Sequence, residues 1–190
     1  RLREIKKAAW RRDDMRGAGE GVDRSASRDL LESGTLTRYQ EGLLRKIMAG
    51  AVYTEDRAAR RFKRSPPMCP FCGKTEETRD HLFWECEHWA FLRKDVLAVL
   101  PTAPKAMPNC LRLCGLLPAK LAEGYRPHLG AIQKCMVDIL HHSAEYRRDE
   151  RVKRFKRVIS ATGQQPAASQ GASAEAAWAP VGFQHHDLEG

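Results

Sequence analysis

The most specific pattern in the chain is Cys69-Pro70-Phe71-Cys72-Gly73, followed by Glu77-Thr78-Arg79-Asp80-His81-Leu82-Phe83-Trp84-Glu85-Cys86. Its cysteines and histidine follow the spacing C-x2-C-x8-H-x4-C. A structural zinc site takes four thiolate or imidazole ligands in a tetrahedron, and a Cys-x2-Cys turn can place two thiolates on one side of the ion. Gly73 allows the chain to turn past that ion. The spacing therefore predicts one structural zinc ion bound by Cys69, Cys72, His81 and Cys86.

We expect the second half of this segment to be helical, with Thr78 as its cap. His81 and Cys86 are five residues apart, which is more than one α-helical turn, so Cys86 is expected at or just past the helix end. His88 is an alternative fourth ligand, and buried free cysteines are the alternative to a metal site. The bulky side chains nearby are expected to pack over a metal that supplies much of the local folding free energy, although aromatic rings could instead stack on nucleic-acid bases. These side chains are Leu82, Phe83, Trp84 and Trp89.

The flanking sequence predicts helices and no strong strand. Thr37 and Gln40 form a capping box ahead of apolar residues at helical spacing, which continue to Gly50. Thr54 starts a second helix that stops at Ser65, because the residue before a proline is disfavoured in a helix. Further along, an apolar stripe precedes Pro101, Asn109 caps a short turn, and Pro127 begins a long helix. The predicted fold class is mainly α: helices flanking a small CCHC zinc module, with a disordered C-terminal tail. The stripe consists of Trp89, Leu92, Val96 and Leu100.

The composition divides the chain into four predicted regions. Residues 1–28 form a basic N-terminal segment and a linker, because a Gly-rich stretch runs through Ser27. Residues 29–101 hold helices and the zinc module, with the zinc site at 69–86. Residues 102–160 form a C-terminal helical region with a basic end. Residues 161–190 contain no Lys or Arg and many Ala, Gln and Ser residues, so we expect a disordered tail.

The positive charge is concentrated in three blocks. The 190 residues include 33 Lys and Arg against 24 Asp and Glu, for a net charge of +9. Residues 1–16 contribute +4, and residues 57–64 and 147–157 contribute +5 each, whereas residues 69–89 carry −3. Excess positive charge predicts RNA and/or DNA as the partner, with solvated helix faces as the alternative. The candidate contact residues are Arg57, Arg60, Arg61, Lys63, Arg64, Arg151, Lys153, Arg154, Lys156 and Arg157.

Several classes of protein are excluded. No apolar run approaches the roughly 18 residues of a membrane span, and the opening residues contain no apolar signal region, so nothing suggests secretion. Six cysteines without such a signal argue against a disulfide framework. We therefore expect an intracellular, nuclear or nucleocytoplasmic protein that is neither secreted nor membrane-bound, with an oligomeric state that the sequence leaves open. The absence of a starting Met indicates a piece of a longer protein.

The motif and its flanks carry a family resemblance. The run Thr37-Arg38-Tyr39-Gln40 through Leu43-Leu44-Arg45, followed by the Cys69–Cys86 segment, resembles the zinc-binding region of non-LTR retrotransposon reverse transcriptases over roughly residues 35–100. The resemblance implies helices leading into a CCHC site whose ligands are Cys69, Cys72, His81 and Cys86. It also implies a role in holding template RNA or target DNA during retrotransposition.

The resemblance does not make this chain a polymerase. That family's polymerase requires a strand-turn pair of aspartates after an aromatic residue, whereas Asp13-Asp14 follows Arg11-Arg12. No catalytic residue is therefore predicted, and the chain is interpreted as a fragment of an RNA-directed DNA polymerase polyprotein that lacks the catalytic residues.

Two other functions remain open. One is a zinc-stapled helical protein-interaction module without a nucleic-acid role. The more distant one is an HNH-like metal-dependent nuclease with His81 as general base, against which the predicted helix after His81 argues. Cys110 and Cys114 could form a second site with Cys135 or His128, although core cysteines are the favoured interpretation.

Overall fold

The structure of this chain, a computed structural model, describes residues 12–62 and 67–162. It is dominated by helices, and its described residues contain no strand, only two isolated β-bridges. The predicted mainly α class is therefore confirmed. The predicted disordered tail lies outside the described residues from Gly163 onward. None of the described helices is long and apolar enough to cross a membrane.

Residues 12–62 and 67–162 form seven α-helices, with turns, loops and the Cys69–Cys86 segment between them. The helices are α1 (Arg24–Glu32), α2 (Arg38–Met48), α3 (Glu55–Phe62), α4 (Ala90–Val99), α5 (Asn109–Cys114), α6 (Ala122–Tyr125) and α7 (Leu129–Thr162). Single 3-10 turns lie at Asp13–Met15, Glu87–Trp89, Pro104–Ala106, Ala119–Leu121 and Arg126–His128, and one π-helical turn covers His81–Glu85.

The predicted capping box opens α2. The Thr37 hydroxyl accepts a hydrogen bond from the Gln40 backbone N–H at 3.3 Å, and the Gln40 side chain accepts one from the Thr37 N–H at 3.0 Å. These contacts satisfy two of the N–H groups that a helix start leaves unpaired. The helix then buries Leu43, Leu44 and Ile47, whereas Tyr39 is 53% exposed.

The predicted linker through Ser27 is wrong. Asp23 caps α1 by accepting a hydrogen bond from the Ala26 N–H at 3.0 Å. Ser27 is buried, and its carbonyl accepts a hydrogen bond from the Gln133 amide at 2.9 Å. Gly17 has a φ of +99° and packs against Pro108. Gly17 and Gly21 thus adopt positive φ values at turns of a folded segment, rather than forming a flexible linker.

One hydrophobic core joins the zinc segment to the helices. Leu82 and Phe83 are fully buried in the same cluster as Leu44, Ile132 and Met136. Leu82, Phe83, Trp84 and Trp89 all pack in this core, as predicted. A compact unit extends through Tyr146, and a second begins at Arg147.

The apolar stripe predicted before Pro101 is buried at Trp89 and Val96.

Three further predictions concern where helices begin. α3 begins directly after Thr54, as predicted. Asn109 does not cap α5: it is the first residue of the helix, and its amide donates to the Asp13 carbonyl at 2.9 Å. Pro127 lies in the 3-10 turn that precedes α7, rather than at the first position of the α-helix.

Candidate metal centre

A tight loop carries the first two cysteines. Met68 and Glu76 form an antiparallel bridge, and within it the Cys69 N–H donates to the Thr75 carbonyl at 2.8 Å. The Gly73 N–H then donates back to the Cys69 carbonyl at 2.9 Å. Gly73 has a φ of +68°, a conformation that disfavours residues with a side chain. The chain therefore turns past the cysteine pair at the residue that the sequence indicated.

The other two candidate ligands lie on one widened helical turn. The Thr78 hydroxyl accepts a hydrogen bond from the His81 N–H at 3.0 Å, as a cap does. His81–Glu85 form a π-helical turn, which the Cys86 N–H closes by donating to the His81 carbonyl at 2.7 Å. A π turn joins residues five apart, so its extra residue brings Cys86 back beside His81. The predicted helix is confirmed, and Cys86 lies just past its end.

The four side chains converge. The Cys69 and Cys86 sulfurs are 3.8 Å apart, the Cys72 sulfur is 3.4 Å from His81 Nε2, and all four ligand atoms lie within 4.8 Å of one another. This is the one group of three or more such ligands within the described ranges. Three thiols and an imidazole are a donor set that zinc prefers, and four ligands complete a structural site. The residues therefore fit a zinc ion.

A hydroxyl group orients the imidazole. Thr75 Oγ1 lies 3.0 Å from His81 Nδ1, while Nε2 of the same ring faces Cys72. Metal-binding histidines commonly donate from the nitrogen that does not bind the metal. With Thr75 Oγ1 accepting from Nδ1–H, Nε2 is the nitrogen left to bind a metal. Burial lowers the pKa of His81, which favours the neutral imidazole that a metal requires.

The thiols differ in how readily they ionise in the metal-free chain. Burial raises the pKa of Cys69 and raises that of Cys86 to about 12. Burial also acts to raise the pKa of Cys72, but backbone N–H donors at Lys74 and Thr75 and the Cys69 side chain hold it below its usual value. Zinc requires thiolates, so its binding would displace protons from Cys69 and Cys86 against the effect of their burial.

A buried arginine beside the site was missed by the sequence analysis. Arg93 on α4 is 3% exposed, and its Nη2 donates to the Cys86 carbonyl at 2.5 Å. Three thiolates and one Zn²⁺ carry a net charge of −1, which an adjacent guanidinium would offset. A charged residue between the apolar positions Leu92 and Val96 was the signal that could have found it.

The alternative ligands lie elsewhere. His88 is outside the metal-ligand group and packs edge-on against Trp89, with ring centroids 4.5 Å apart. Cys110, Cys114 and Cys135 are buried, and burial raises their pKa values to about 11, 12 and 11. Among the described residues they join no metal-ligand group. They are core cysteines.

The nuclease alternative is not supported. The residues directly after His81 form a helical turn in place of the hairpin loop of that fold. The cluster is therefore better suited to holding a closed structural ion than to exposing a catalytic one.

The candidate nucleic-acid contacts lie on two helices. Arg57, Arg60 and Arg61 are exposed on α3, and Arg151, Lys153 and Arg157 are exposed on α7. Lys63, Arg64 and the side chains of Arg154 and Lys156 lie outside the described residues.

A groove brings parts of two basic blocks together. Arg12 from the first block and Arg57 and Arg60 from the second line it beside Arg79 of the zinc segment, with a volume of about 510 Å³. Four carboxylates also line it, so its charge is balanced; they belong to Asp13, Asp14, Asp56 and Asp80. Arg57 donates to the Gly50 and Val52 carbonyls at 2.7 and 3.1 Å, and Arg60 pairs with Asp56. In the part of the chain that the structure describes, Arg57 and Arg61 form no ion pair with a carboxylate.

Comparison with known proteins assigns a class to this segment. Residues 36–92 match the family model zf-RVT, described as zinc-binding in reverse transcriptase, and they cover just under a third of the chain. The resemblance drawn from the Cys69–Cys86 motif is thereby confirmed, and the chain contains a zinc-binding region of the reverse transcriptase kind. No curated protein and no solved structure matches the chain. No catalytic domain is among the matches.

Proposed function

We propose that this chain is a non-catalytic, nucleic-acid-binding segment of a retrotransposon reverse transcriptase polyprotein, which binds one structural zinc ion and holds RNA or DNA during retrotransposition. The observation that carries the proposal is the convergence of Cys69, Cys72, His81 and Cys86 to within 4.8 Å in a segment that matches the zinc-binding family. The ion cross-links the Cys69–Cys72 loop to the turn that carries His81 and Cys86, and it needs no open coordination position for that role.

Electrostatics supports the nucleic-acid part of the proposal. Residues 57–64 and 147–157 carry +5 each. The candidate contact residues that are described in these blocks are exposed, namely Arg57, Arg60, Arg61, Arg151, Lys153 and Arg157. The Lys153–Glu150 ion pair is exposed and of the kind that contributes little to stability, so a phosphate can replace the carboxylate. Arg57 and Arg61 have guanidinium groups without carboxylate partners among the described residues, and a planar fork of donors suits phosphate.

Measuring the metal content tests whether the chain binds one structural zinc ion. Inductively coupled plasma mass spectrometry of the purified chain should find one zinc ion per chain, and Cys86→Ser or His81→Ala should remove it. Cys110→Ser is the matched control, because Cys110 is as fully buried as Cys86 but lies outside the cluster. A wild-type chain without stoichiometric zinc, or equal loss in the control, would contradict the proposal.

The salt dependence of the binding constant tests whether the chain binds RNA or DNA. Each phosphate contact contributes a slope of about −0.7 to −0.9 to a plot of log binding constant against log salt concentration. Replacing Arg57 and Arg61 with Gln should weaken binding to RNA or DNA and reduce the magnitude of the slope by about 1 to 2. Arg28→Gln is the control, since Arg28 is an equally exposed helical arginine outside the three basic blocks.

The zinc-stapled protein-interaction module remains the second candidate. It is favoured if the intact, zinc-loaded chain binds neither RNA nor DNA, or if binding does not respond to salt. The acidic character of residues 69–89, at −3, is the feature that suits this alternative.

A further inference from the structure

Eight aromatic and histidine rings from five parts of the fold form a continuous chain of ring contacts, which we name the aromatic strip. One of the rings comes from the zinc segment, and the others come from α2, α4, α7 and the 3-10 turn before α4. Its members are Tyr39, Phe71, His88, Trp89, Phe91, His141, His142 and Tyr146.

The rings contact one another without interruption. From one end, Tyr39 meets His141 with centroids 5.5 Å apart, His141 lies 5.5 Å from His142, and His142 stacks on Trp89 at 6.4 Å. Trp89 then contacts Phe71 at 4.9 Å and Phe91 at 6.5 Å. Phe71 continues to Tyr146 at 5.2 Å, with His88 beside both. Trp89 is therefore the centre of the strip.

Most of the strip is accessible to solvent although its centre is buried. Trp89 is 3% exposed and anchors the strip in the core, whereas Phe91 is 67% and Tyr39 53% exposed. The side chains of His141 and His142 are 33% and 47% exposed, so neither histidine faces the core, although the sequence allowed one to. Exposing large rings to water is unfavourable, and a run of them indicates a contact surface rather than random surface composition.

The charge along the strip is nearly balanced. Glu145 lies 3.5 Å from His141 and 3.3 Å from His142, and Glu87 pairs with Lys74 at 2.6 Å. Arg38, next to Tyr39, is exposed and forms no ion pair among the described residues. The strip therefore lacks the cationic density that binds a phosphate backbone along its length, but it has a cation near each end.

We propose that the aromatic strip stacks unpaired bases of a single-stranded RNA or DNA segment. Bases of any sequence present a flat face that stacks on Phe, Tyr, Trp or His, and such stacking contributes about 1–3 kcal/mol per base. In this arrangement the strip contacts bases while Arg38, Lys74 and the basic blocks contact phosphates. The proposal rests on the nucleic-acid-binding function proposed above, and it adds a contact that none of the basic residues provides.

Two oligonucleotides distinguish base stacking on the aromatic strip from phosphate binding by the basic blocks. One is a single-stranded oligothymidylate of about 12 nucleotides, and the other is an abasic strand of equal length with the same phosphates. Fluorescence anisotropy on the zinc-loaded full chain should show tighter binding to the oligothymidylate, by about tenfold. Phe91→Ala and Tyr39→Ala should each remove most of that preference while leaving binding to the abasic strand unchanged.

Tyr53→Ala is the matched control, because Tyr53 is 51% exposed and lies outside the strip. It should keep the preference, and circular dichroism with zinc content should show that all three variants fold. Equal affinity of the wild-type chain for both strands would overturn the stacking proposal while leaving phosphate binding intact. Binding to neither strand would overturn both proposals and favour a protein as the occupant of the strip.

Discussion

At the scale of single residues, the Thr75 hydroxyl is the contact that orients His81 toward the cysteines. We expect Thr75→Val to keep the fold, because Thr75 is exposed and the two side chains have the same shape. The imidazole would lose its 3.0 Å partner. Loss of such a contact lowers metal affinity by about 10- to 100-fold. Zinc competition with a chelator measures this change.

A threonine outside the site provides the control for that substitution. Thr35 is also exposed, and its hydroxyl bonds to Ser33 at 2.7 Å rather than to a candidate ligand. Thr35→Val should therefore leave zinc affinity unchanged. Unchanged affinity in Thr75→Val as well would show that the hydroxyl does not orient the ring.

Asp14 holds the N-terminal turn to the zinc segment. Its side chain is 7% exposed and lies 2.7 Å from Arg79 and 2.9 Å from Arg12. Asp14→Asn would leave the Arg79 guanidinium without its carboxylate, and breaking a buried ion pair in this way costs about 3 kcal/mol. Urea denaturation measures this loss. The adjacent Asp13 is the control, because its ion pair with Arg16 is exposed and Asp13→Asn should cost under about 0.5 kcal/mol.

The contribution of Asp14 also depends on pH. Burial acts to raise the pKa of Asp14, but hydrogen bonds from Arg12 and Arg79 outweigh it and hold the pKa below 3.8. The folded state thus binds a proton less readily than the unfolded state does. The stabilisation should be complete above the unfolded pKa and should disappear as pH falls through the lower folded value. The difference in unfolding free energy between wild type and Asp14→Asn should therefore be constant from neutral pH to about pH 5 and shrink below about pH 4. A difference that shrinks already at neutral pH would contradict this assignment.

At the scale of secondary structure elements, the π turn sets the position of Cys86. Deleting Glu85 would leave the His81 and Cys86 residues four positions apart, a spacing that an α-helical turn accommodates, so the wider turn would no longer form. We expect this deletion to displace Cys86 and to abolish stoichiometric zinc binding. Glu85→Ala should retain zinc, since Glu85 pairs only with the exposed Lys105. Measuring the zinc content of both variants shows whether zinc binding requires the π turn or the Glu85 side chain.

The helices differ in how far local sequence predicted them. The capping box of α2 and the start of α3 depend on residues within a few positions of each other, so their signals are complete in the sequence. α1 was mistaken for a linker because its burial comes from Gln133 and Leu117, about 90 to 106 residues away. Asn109 was mistaken for a cap because its partner is Asp13, 96 residues away. In both cases a long-range contact decided the outcome.

At the scale of the whole molecule, the zinc segment is part of the main core rather than a separate small domain. Leu82 and Phe83 pack with residues of α2 and α7. Zinc held at about a thousandfold above its dissociation constant adds about 4 kcal/mol of stability. Chelation should therefore lower the melting temperature by about 10 °C.

The shape of that melting transition is the more informative result. Because core and zinc segment share buried side chains, circular dichroism and tryptophan fluorescence should report one coincident transition with and without zinc. Restoring zinc should return the melting temperature to its original value. Two separate transitions, with the helical one unmoved by chelation, would show that the zinc segment folds on its own.

The metal-ligand set and the mainly helical class follow from local patterns. The four ligands lie within 18 consecutive residues, and a metal demands particular atom types at short spacing, so the sequence carries that signal almost completely. Helix caps and apolar periodicity are equally local. The link from Tyr39 to His141 in the aromatic strip, the Asp14–Arg79 ion pair and the Arg93–Cys86 contact depend instead on residues 102, 65 and 7 positions apart. No short pattern encodes such contacts, because packing of the shared core brings these side chains together.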